Sequence, residues 1–269
     1  MTLARRLDAR GRRVISERLV AEAGGYLRNV VRETHVTCTV CGTPITPAFD
    51  VCRRCQLDRG EFGSSVADLV VPLWYGIRGA QSGYLMRSYK DVAAPARHNQ
   101  ILLSVLLLAA LDLHGECIER RLGKAVDAWS IVPSVRRDRS GEHPLHMVAR
   151  RASLARPEIE LVTVGGAHAG QRATSPDRFA LAAGSTARGR HVLLIEDTWT
   201  SGGNAQSAAL TLRNAGGAAS VTIVALARWL NPDEQPTGEF VSSRLTEDYD
   251  PFVCPVGDPD CTRSGQSGW

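Results

Sequence analysis

Lysine is almost absent from this chain of 269 residues: of its 32 basic residues only Lys90 and Lys124 are lysines, and the rest are arginines. Two nucleotide-binding signatures are also missing. The nearest approach to G-x-x-x-x-G-K-[ST], residues 165–170, is not followed by lysine, and no G-x-G-x-x-G sequence occurs. The sequence therefore argues against a P-loop nucleotidase and against a dinucleotide-binding Rossmann domain.

Long uninterrupted apolar runs are absent as well. The most apolar stretch, residues 101–113, contains Ser104 and Asp112 and is shorter than the roughly 20 residues that a membrane-spanning helix needs. The arginine-rich N-terminus is not followed by an apolar segment and a small-residue cleavage site, as in a signal peptide. We therefore expect a buried core helix at 101–113 and a cytoplasmic protein.

The formal net charge of +4 is mild but unevenly distributed. Residues 1–60 contain eleven arginines and six acids, whereas residues 231–269 contain two arginines and eight acids. A basic N-terminal segment is compatible with nucleic-acid binding, although composition alone favours a solvated helix face that balances the acidic C-terminal segment. Both interpretations stay open at the level of sequence.

Alternating segments predict an α/β protein with a parallel sheet and crossover helices, because apolar, β-branched runs alternate with helical patterns. The predicted strands cover residues 66–75 (as one or two strands), 128–133, 159–164, 191–195 and 221–227. Four regions are expected: an N-terminal helix at 1–34, a zinc ribbon at 35–60, the main domain at 61–230, and an acidic, loosely ordered tail at 231–269.

Two C-x-x-C pairs predict a metal site. Cys38 and Cys41 are separated by ten residues from Cys52 and Cys55, a spacing typical of two tight turns that supply four thiolates to a structural zinc ion. Four protein ligands leave no open coordination position, which argues against zinc catalysis. The pattern also favours a reducing compartment over a disulfide framework.

The other cysteines and three histidines carry weaker signals. Cys117 lies in a predicted helix and is interpreted as an inert buried thiol. Cys254 and Cys261, in the predicted tail, are candidates for pairing with each other or for joining a metal site. Three histidines are more simply interpreted as exposed or hydrogen-bonded side chains than as catalytic bases: His143, His146 and His168.

The strongest functional signal is the segment 195–204, where an apolar strand gives way to a glycine-rich loop and a helix. Backbone N–H groups, the positive helix end and nearby hydroxyl groups favour a phosphate there, and glycine allows close approach. Two carboxylates, Glu196 and Asp197, cannot face a phosphate and are predicted to bind ribose hydroxyls or Mg²⁺. A capped turn in an unrelated α/β protein is the alternative. The residues predicted to bind a ribose phosphate are Thr198, Trp199, Thr200, Ser201, Gly202, Gly203 and Asn204.

Glu196-Asp197 followed by Thr200-Ser201-Gly202-Gly203 resembles the signature of type I phosphoribosyltransferases, and is especially similar to its form in orotate phosphoribosyltransferases. With the double C-x-x-C module, the layout most resembles the ComF family, in which a zinc ribbon is joined to a phosphoribosyltransferase-like domain and which is associated in some bacteria with DNA uptake. The resemblance spans roughly residues 35–230. It implies a type I phosphoribosyltransferase-like fold, phosphoribosyl diphosphate and Mg²⁺ as ligands, and Glu196 and Asp197 as catalytic residues.

The resemblance also implies a diphosphate site. Residues 131–137 resemble the family's strand and basic diphosphate-binding turn, and residues 165–179 occupy the position of its mobile lid. A surface arginine cluster and an ordinary polar loop are the alternatives. The diphosphate-binding residues that the resemblance implies are Ser134, Arg136, Arg137 and Arg172.

Two functional hypotheses follow. In the first, the protein is a glycosyltransferase that moves the phosphoribosyl group to an unidentified nitrogenous acceptor, with Glu196 and Asp197 stabilising charge on the ribose. In the second, the site binds its ligand without turnover, and the protein is an accessory factor with single-stranded DNA or a competence-type protein as partner. Many relatives carry a lysine in the lid, but this chain has none after Lys124, and both hypotheses stay open.

Overall fold

The computed structural model describes residues 7–91, 94–135, 143–152, 154–164 and 172–262. Its helices are α1 (Ala9–Leu19), α2 (Arg53–Phe62), α3 (Gln81–Ser88), α4 (Ala94–Leu122), α5 (Pro144–Arg151), α6 (Gly203–Leu210) and α7 (Thr237–Arg244). Its strands are β1 (Leu69–Ile77), β2 (Ala128–Ile131), β3 (Leu161–Thr163), β4 (Phe179–Leu181), β5 (His191–Trp199) and β6 (Ser220–Leu230). Single π-helical turns extend α1 through Val20–Gly24 and α6 through Thr211–Ala215.

The centre of the protein is a parallel sheet. Within the described ranges it has four strands in the order β1-β6-β5-β2, and every neighbouring pair is parallel. The register places Ile195 of β5 between Ile131 of β2 and Val224 of β6. The strands consist almost wholly of buried residues, as expected for a sheet covered on both faces. The predicted α/β architecture with a parallel sheet and crossover helices is confirmed.

Alternate side chains of the central strand enter two separate cores. Leu193 and Ile195 of β5 belong to the core formed with α1, α4 and α5. Val192 and Leu194 belong to the core formed with α6 and the cysteine-rich module. Because successive side chains of a strand project in opposite directions, these two layers cover opposite faces of the sheet.

Helix α4 is the longest element and is buried along most of its length. Leu103, Leu106 and Leu107 are fully buried in its core. The span Ala96–Leu122 is long and apolar enough to cross a membrane, yet 72% of its most apolar window is buried inside the protein. Asp112, which interrupts the apolar run, accepts a hydrogen bond of 2.6 Å from Arg12 Nε. The interpretation of this segment as a core helix is confirmed.

The cysteine-rich module is built on two tight turns. In the first, Cys38 N–H donates to Thr43 O (2.7 Å) and Gly42 N–H donates to Cys38 O (2.9 Å). In the second, Cys52 directly precedes α2, so that Cys55 lies on the first turn of this helix. The two turns converge and bury most of the thiol groups. The four-cysteine module expected at 35–60 is therefore present.

The N-terminal region is helical only as far as Gly24. The following segment runs beside β1, where Asn29 and Trp74 form an antiparallel bridge and Tyr75 N–H donates to Arg28 O (3.0 Å). The helix predicted for 1–34 is therefore shorter in the structure. The apolar residues after Gly24 cover the edge of the sheet instead of continuing a helix.

Strand β3 lies outside the main sheet. It pairs antiparallel with β4, where Val162 is opposite Ala180. The sequence places a strand at 159–164 in the parallel sheet, and the start of this segment does meet that sheet: Glu158 forms a parallel bridge with Trp129 of β2, and Ile159 N–H donates to Trp129 O (2.8 Å). From Leu161 the chain pairs with β4 instead, and β-branched residues favour a strand without specifying its partner. The side chains of Val162 and Val164 are exposed, whereas the strands of the main sheet are buried on both faces.

The C-terminal segment is packed into the protein as far as Thr262. Tyr249, Phe252 and Val256 are buried, and Tyr249 N–H donates to Gly24 O (3.0 Å). The sequence predicts a loosely ordered tail at 231–269, so the structure differs over the described part of this range. Part of the range forms α7, and farther along the chain Tyr249 and Val256 pack in the core that α1 and α4 share.

Candidate functional site

A cleft opens at the carboxyl-terminal edge of the parallel sheet. Its two adjoining lobes have volumes of about 480 and 470 Å³. Residues that follow β1, β2 and β5 meet here because the carboxyl ends of parallel strands lie at one edge, a common ligand site in α/β proteins. Residues that line both lobes are Met86, Arg87, Lys90, Val135, Glu196, Asp197 and Asn204.

The loop after β5 forms one wall of the second lobe. Thr198 and residues 200–204 line it, and α6 begins at Gly203. Gly202 precedes the helix with a φ of 81°, in the left-handed region that glycine adopts without strain. The first N–H groups of a helix have no acceptor within it and point out of its N-terminus. This wall therefore presents hydrogen-bond donors and hydroxyl groups.

Arg228, on β6, fixes the orientation of this loop from the sheet side. Its Nη1 donates to Trp199 O (2.7 Å) and to Thr200 O (2.8 Å). In a trans peptide the N–H points opposite to the C=O. Because these two carbonyls face the buried Arg228, the N–H groups of Thr200 and Ser201 point away from Arg228, and both residues line the second lobe.

Trp199 lies beneath the loop rather than in the cleft. Its side chain is 2% exposed and packs into the core on the α6 face of the sheet. A Cβ on Gly202 would overlap the indole ring, and a Cβ on Gly203 would overlap Arg172 O. The two glycines are thus required by packing within the protein. The prediction that Trp199 binds the ribose phosphate is corrected, because a residue beneath the loop does not reach a ligand in the cleft.

Arg178 holds Asn204 in place. Its buried side chain donates from Nη1 to Asn204 Oδ1 (2.6 Å) and from Nη2 to Ala173 O (2.8 Å). Burial, together with the nearby Arg54 charge, lowers the pKa of Arg178. Residues 165–171 of the predicted lid lie outside the described residues. Arg178, at the other end of that segment, is a fixed support for the loop.

The carboxylate of Asp197 is held by two residues that follow α3. Tyr89 Oη donates to Asp197 Oδ2 (2.8 Å), and Lys90 Nζ forms an ion pair with the same oxygen. Burial raises the pKa of Asp197, but the charge and hydrogen bond of Lys90 and the hydrogen bond of Tyr89 outweigh burial and lower it overall. Asp197 is therefore ionised, and the lysine neutralises it.

Glu196 differs from its neighbour. Burial and the adjacent charge of Asp197 raise the pKa of Glu196 well above its ordinary value, and the charge of Lys90 opposes this only in part. Glu196 Oε1 accepts the backbone N–H of Asp197 (3.0 Å). The pair therefore combines a carboxylate with a carboxyl group that keeps its proton to a higher pH.

The remaining predicted residues lie on the other walls. Ser134 follows β2 and lines the first lobe, and Arg172 lines the second. Arg172 O accepts a hydrogen bond from Ser201 Oγ (3.1 Å), so the backbone there is joined to the loop that follows β5. Arg136 and Arg137, predicted to bind diphosphate, lie outside the described residues.

Sequence reasoning missed four residues that shape this site: Arg87, Tyr89, Lys90 and Arg228. Tyr89 precedes Asp197 by 108 residues, and no motif joins the two segments. The Arg87 guanidinium lies 5.1 Å from the centre of the Trp229 ring at the mouth of the second lobe. The rarity of lysine could have drawn attention to Lys90, because it is one of only two lysines in the chain and it lies in the cleft.

The histidines considered from sequence have hydrogen-bond partners where they are described. His143 lines the first lobe, and its Nδ1 accepts the Leu145 N–H (3.2 Å) as the N-cap of α5. His146 Nε2 lies 2.5 Å from Glu158 Oε1. His168 lies outside the described residues. The interpretation of His146 as a hydrogen-bonded side chain is confirmed.

The thiol groups of Cys38, Cys41, Cys52 and Cys55 form a compact cluster. Their sulfur atoms all lie within 4.8 Å of one another, and Cys41 Sγ is 3.9 Å from Cys52 Sγ. Sulfur atoms bound tetrahedrally to zinc at about 2.3 Å are separated by about 3.8 Å. The cluster can therefore hold a metal ion such as Zn²⁺.

Comparison with known proteins gives weak likenesses. No family model and no curated protein matches this sequence. A hypoxanthine phosphoribosyltransferase from Staphylococcus aureus is 16% identical with a TM-score of 0.29, over 46% of this chain and 62% of its own. An adenine phosphoribosyltransferase from Leishmania donovani is 19% identical with a TM-score of 0.26, over 51% and 59%. One from Leishmania tarentolae is 14% identical with a TM-score of 0.30, over 66% and 88%.

This chain thus spans 62% of the Staphylococcus aureus structure and 59% of the Leishmania donovani structure. Likenesses at these TM-scores establish no function.

Proposed function

We propose that the cleft binds phosphoribosyl diphosphate, or another ribose 5-phosphate, together with Mg²⁺. The observation that carries the proposal is that a donor-rich loop at a helix N-terminus and a pair of carboxyl groups line the same cleft. A phosphate group suits the first, and ribose hydroxyls or a metal ion suit the second. The resemblance of residues 196–203 to the type I phosphoribosyltransferase signature, within a ComF-like layout, supports the same ligand.

The 5-phosphate binds at the loop. The N–H groups of Thr200 and Ser201 point away from Arg228, both residues line the second lobe, and the N-terminus of α6 adds a favourable dipole. The residues assigned to the phosphate are those of the loop that line the cleft: Thr198, Thr200, Ser201, Gly202, Gly203 and Asn204. This set is the sequence prediction without Trp199.

Glu196 and Asp197 face the ribose ring and are the residues that would hold Mg²⁺, since both line the cleft and offer the oxygen ligands that this ion prefers. Glu196 would give up its proton on binding the ion. When bound, Mg²⁺ offsets the negative charge of the diphosphate. A ribose hydroxyl that approaches Asp197 competes with Lys90 for Oδ2. The ammonium group of Lys90, once displaced from Asp197, remains in the cleft in which the diphosphate also binds. Lys90 therefore exchanges its ion pair with Asp197 for one with the diphosphate.

The diphosphate is bound by the remaining basic and hydroxyl groups of the cleft. Arg87, Arg172 and Ser134 line it, and Arg136 and Arg137 are retained from the sequence as candidates. In turnover, the C1–oxygen bond breaks with its electron pair on the leaving diphosphate, and a nitrogen lone pair of the acceptor forms the new bond to C1. Asp197 stabilises positive charge on the ribose, and the basic groups stabilise the diphosphate.

The alternative is a ComF-like accessory protein that binds the ligand without turnover. The absence of a lysine after Lys124 favours it. A nucleic-acid partner bound by α1 has less support, because arginines of this helix have partners within the chain: Arg12 with Asp112, Arg13 with Glu17 and Arg18 with Glu22. We assign structural Zn²⁺ to the Cys38–Cys55 cluster and the cytoplasm as the compartment, because four thiolates require reducing conditions.

Calorimetric titration with phosphoribosyl diphosphate and Mg²⁺ tests the proposal. Wild type is expected to bind, and Asp197→Ala is expected to bind at least about tenfold more weakly. A hydrogen bond to a charged group contributes about 1.5 kcal/mol or more to the binding free energy. The matched control is Asp233→Ala, an exposed acid outside the cleft that pairs with Arg78, and it should bind as wild type does. No heat with wild type, or equal affinity in Asp197→Ala, would remove the proposal. Diphosphate release from the bound ligand with a panel of bases then separates transfer from binding alone.

A further inference from the structure

A second cluster of metal-ligand residues lies in the other core of the protein. His114, Cys117, Cys254 and Cys261 place one ligand atom each within 4.8 Å of all the others. None of the four is more than 9% exposed. Neither the phosphoribosyl site nor the Cys38–Cys55 cluster uses any of them, so their convergence needs its own explanation.

The imidazole of His114 is oriented as in a metal-ligating histidine. Its Nε2 lies 2.9 Å from Pro251 O, and its Nδ1 lies 3.6 Å from Cys261 Sγ. A carbonyl oxygen only accepts hydrogen bonds, so Nε2 carries the proton and donates it. The lone pair of Nδ1 is then directed at the thiol groups. A backbone carbonyl that fixes the tautomer in this way is the usual outer support of a metal-bound histidine.

The chain supplies the ligands from rigid positions. His114 and Cys117 are three residues apart on α4 and therefore share one face of the helix. Cys254 O accepts the Gly257 N–H (3.2 Å), and Cys261 N–H donates to Asp258 O (3.2 Å), so two tight turns carry the other two ligands. The arrangement combines one helix with two turns, in the way that the Cys38–Cys55 cluster combines turns with the start of α2.

The positive charge of Arg120 lies beside the second cluster and would offset the negative charge of its thiolates. Arg120 Nη2 lies 3.4 Å from Cys117 Sγ and also forms an ion pair of 2.7 Å with Asp258. A guanidinium beside a thiol favours its ionised form, which is the form that binds metal. Arg120 also joins α4 to the turn that carries Cys261.

We propose that His114, Cys117, Cys254 and Cys261 form a second structural zinc site. Three thiolates and one imidazole are a closed tetrahedral donor set for Zn²⁺, and soft sulfur ligands select it over Mg²⁺ or Ca²⁺. A disulfide explains the cluster less well, because it would join two of the three cysteines and leave the third cysteine and the oriented histidine unused. The site fastens residues 251–261 to α4.

The site has no part in the chemistry of the cleft. Twenty residues of α4 separate Ala94, near the cleft end, from His114. At 1.5 Å per residue this is about 30 Å. The expected consequence of losing the metal is therefore local release of the C-terminal segment, with ligand binding in the cleft changed only through overall stability.

Zinc stoichiometry tests the proposal on the full chain, purified under reducing conditions without added metal. Mass-spectrometric metal analysis should find two zinc ions per chain in wild type and one in Cys254→Ser/Cys261→Ser. The matched control, Cys38→Ser/Cys41→Ser, should also retain one. A single zinc in wild type that survives Cys254→Ser/Cys261→Ser would overturn the proposal, and so would two zinc ions in that variant.

Two measurements keep the test decisive if a variant fails to fold. Zinc X-ray absorption of wild type should show seven sulfur ligands and one nitrogen ligand shared over two ions, because the clusters contain seven cysteines and one histidine. Four sulfur ligands per zinc would exclude the second site. Intact mass after alkylation in denaturant with a chelator and without reductant should show every cysteine modified, and a Cys254–Cys261 disulfide would contradict the proposal. His114→Ala should lose one zinc ion, and His114→Cys, which restores a fourth ligand, should retain two.

Discussion

Asp197 and Glu196 are adjacent in sequence but have different partners. Lys90 and Tyr89 engage Asp197, whereas Glu196 faces the same cleft beside a charge of its own sign. Two carboxylates next to each other in a half-enclosed cleft repel, and the protein avoids this by stabilising the charge on only one of them. The lysine therefore has a structural role in the ligand-free protein as well as its proposed role in binding.

Replacement of Lys90 by methionine is expected to destabilise the protein. It leaves the Asp197 carboxylate without its ion-pair partner in a mostly buried position, which costs about 3 kcal/mol. The lowered pKa of Asp197 contributes stability that is present above the unfolded-state value of about 3.9 and is lost as the pH falls through the folded-state pKa. The free energy of unfolding, measured with urea, should therefore differ most between wild type and Lys90→Met at neutral pH. This difference should become smaller as the pH is lowered.

Lys124→Met is the matched control, because Lys124 is the chain's other lysine and its pair with Asp127 is exposed. Lys124→Met should lower the free energy of unfolding by less than about 1 kcal/mol. The double variant Lys90→Met/Asp197→Asn should recover part of the lost stability, since the unpaired charge is then removed. A loss in Lys90→Met that does not vary with pH would refute the assigned role of the ion pair.

At the scale of elements, the β5–loop–α6 unit depends on contacts beneath it. The loop is held by Arg228 through two carbonyls, by the Trp199 ring against Gly202, and by the Arg172 backbone against Gly203. The face toward the cleft is therefore shaped by packing on the opposite face. Small changes in that packing should alter ligand binding without touching a ligand-contacting side chain.

Gly203→Ala tests this dependence. The added Cβ would overlap Arg172 O, so the loop or the facing segment must shift, at a cost of about 1–3 kcal/mol. Affinity for phosphoribosyl diphosphate should fall together with the melting temperature. Gly60→Ala is the control: Gly60 is an exposed residue of α2 with open space around its Cα, and alanine there should add roughly 0.5–1 kcal/mol of stability. Unchanged binding by a folded Gly203→Ala would show that the loop tolerates the shift.

The sequence predicts this unit well because its signals are local. An apolar run gives β5, glycines mark the loop, and Gly216-Gly217 marks the end of the helix, all within one stretch of chain. The first cysteine cluster is predictable for the same reason, since C-x-x-C spacing records the geometry of a turn. The predicted strand at 159–164 meets the parallel sheet only at its start, through Ile159 and Trp129, and its remainder pairs with β4, because a short β-branched segment carries no information about which strand it pairs with.

Residues brought together from distant segments could not be predicted. Nothing near Lys90 in the sequence indicates that it meets Asp197, and nothing near Arg228 indicates two loop carbonyls. The second cluster shows the same limit, because His114 and Cys261 are 147 residues apart and share no spacing motif. Such pairings are set by the topology of the sheet and the helices that cover it.

At the scale of the whole molecule, the two cysteine clusters lie in cores on opposite faces of the sheet. Arg32 joins the two sides at the edge of the sheet. Its Nη1 donates to Val40 O (3.2 Å) in the first module, its Nη2 to Val70 O (2.8 Å) in β1, and its Nε to Pro255 O (3.1 Å) in the C-terminal segment. A single side chain thus contacts both cluster-bearing segments and the sheet between them.

Arg32→Met is expected to loosen both modules at once. Three carbonyls lose a charged donor, and the combined cost should be about 3 kcal/mol or more. Hydrogen exchange should increase in residues 38–55 and in residues 250–261 together. Arg78→Met, which removes an exposed pair with Asp233, is the control and should change neither region. An increase confined to one region would show that Arg32 supports only that side.

The distance along the chain between the ligands of each cluster sets an order of assembly during synthesis. Cys38 to Cys55 emerge from the ribosome within one short segment, so this module could bind the proposed zinc ion while the rest of the chain is still being made. The ligand set of the second cluster is complete only when Cys254 and Cys261 have been translated, which happens after the four described strands of the main sheet. If both clusters bind zinc as proposed, the first could act as an early folding nucleus, and the second would form only after the strands of the main sheet have been translated.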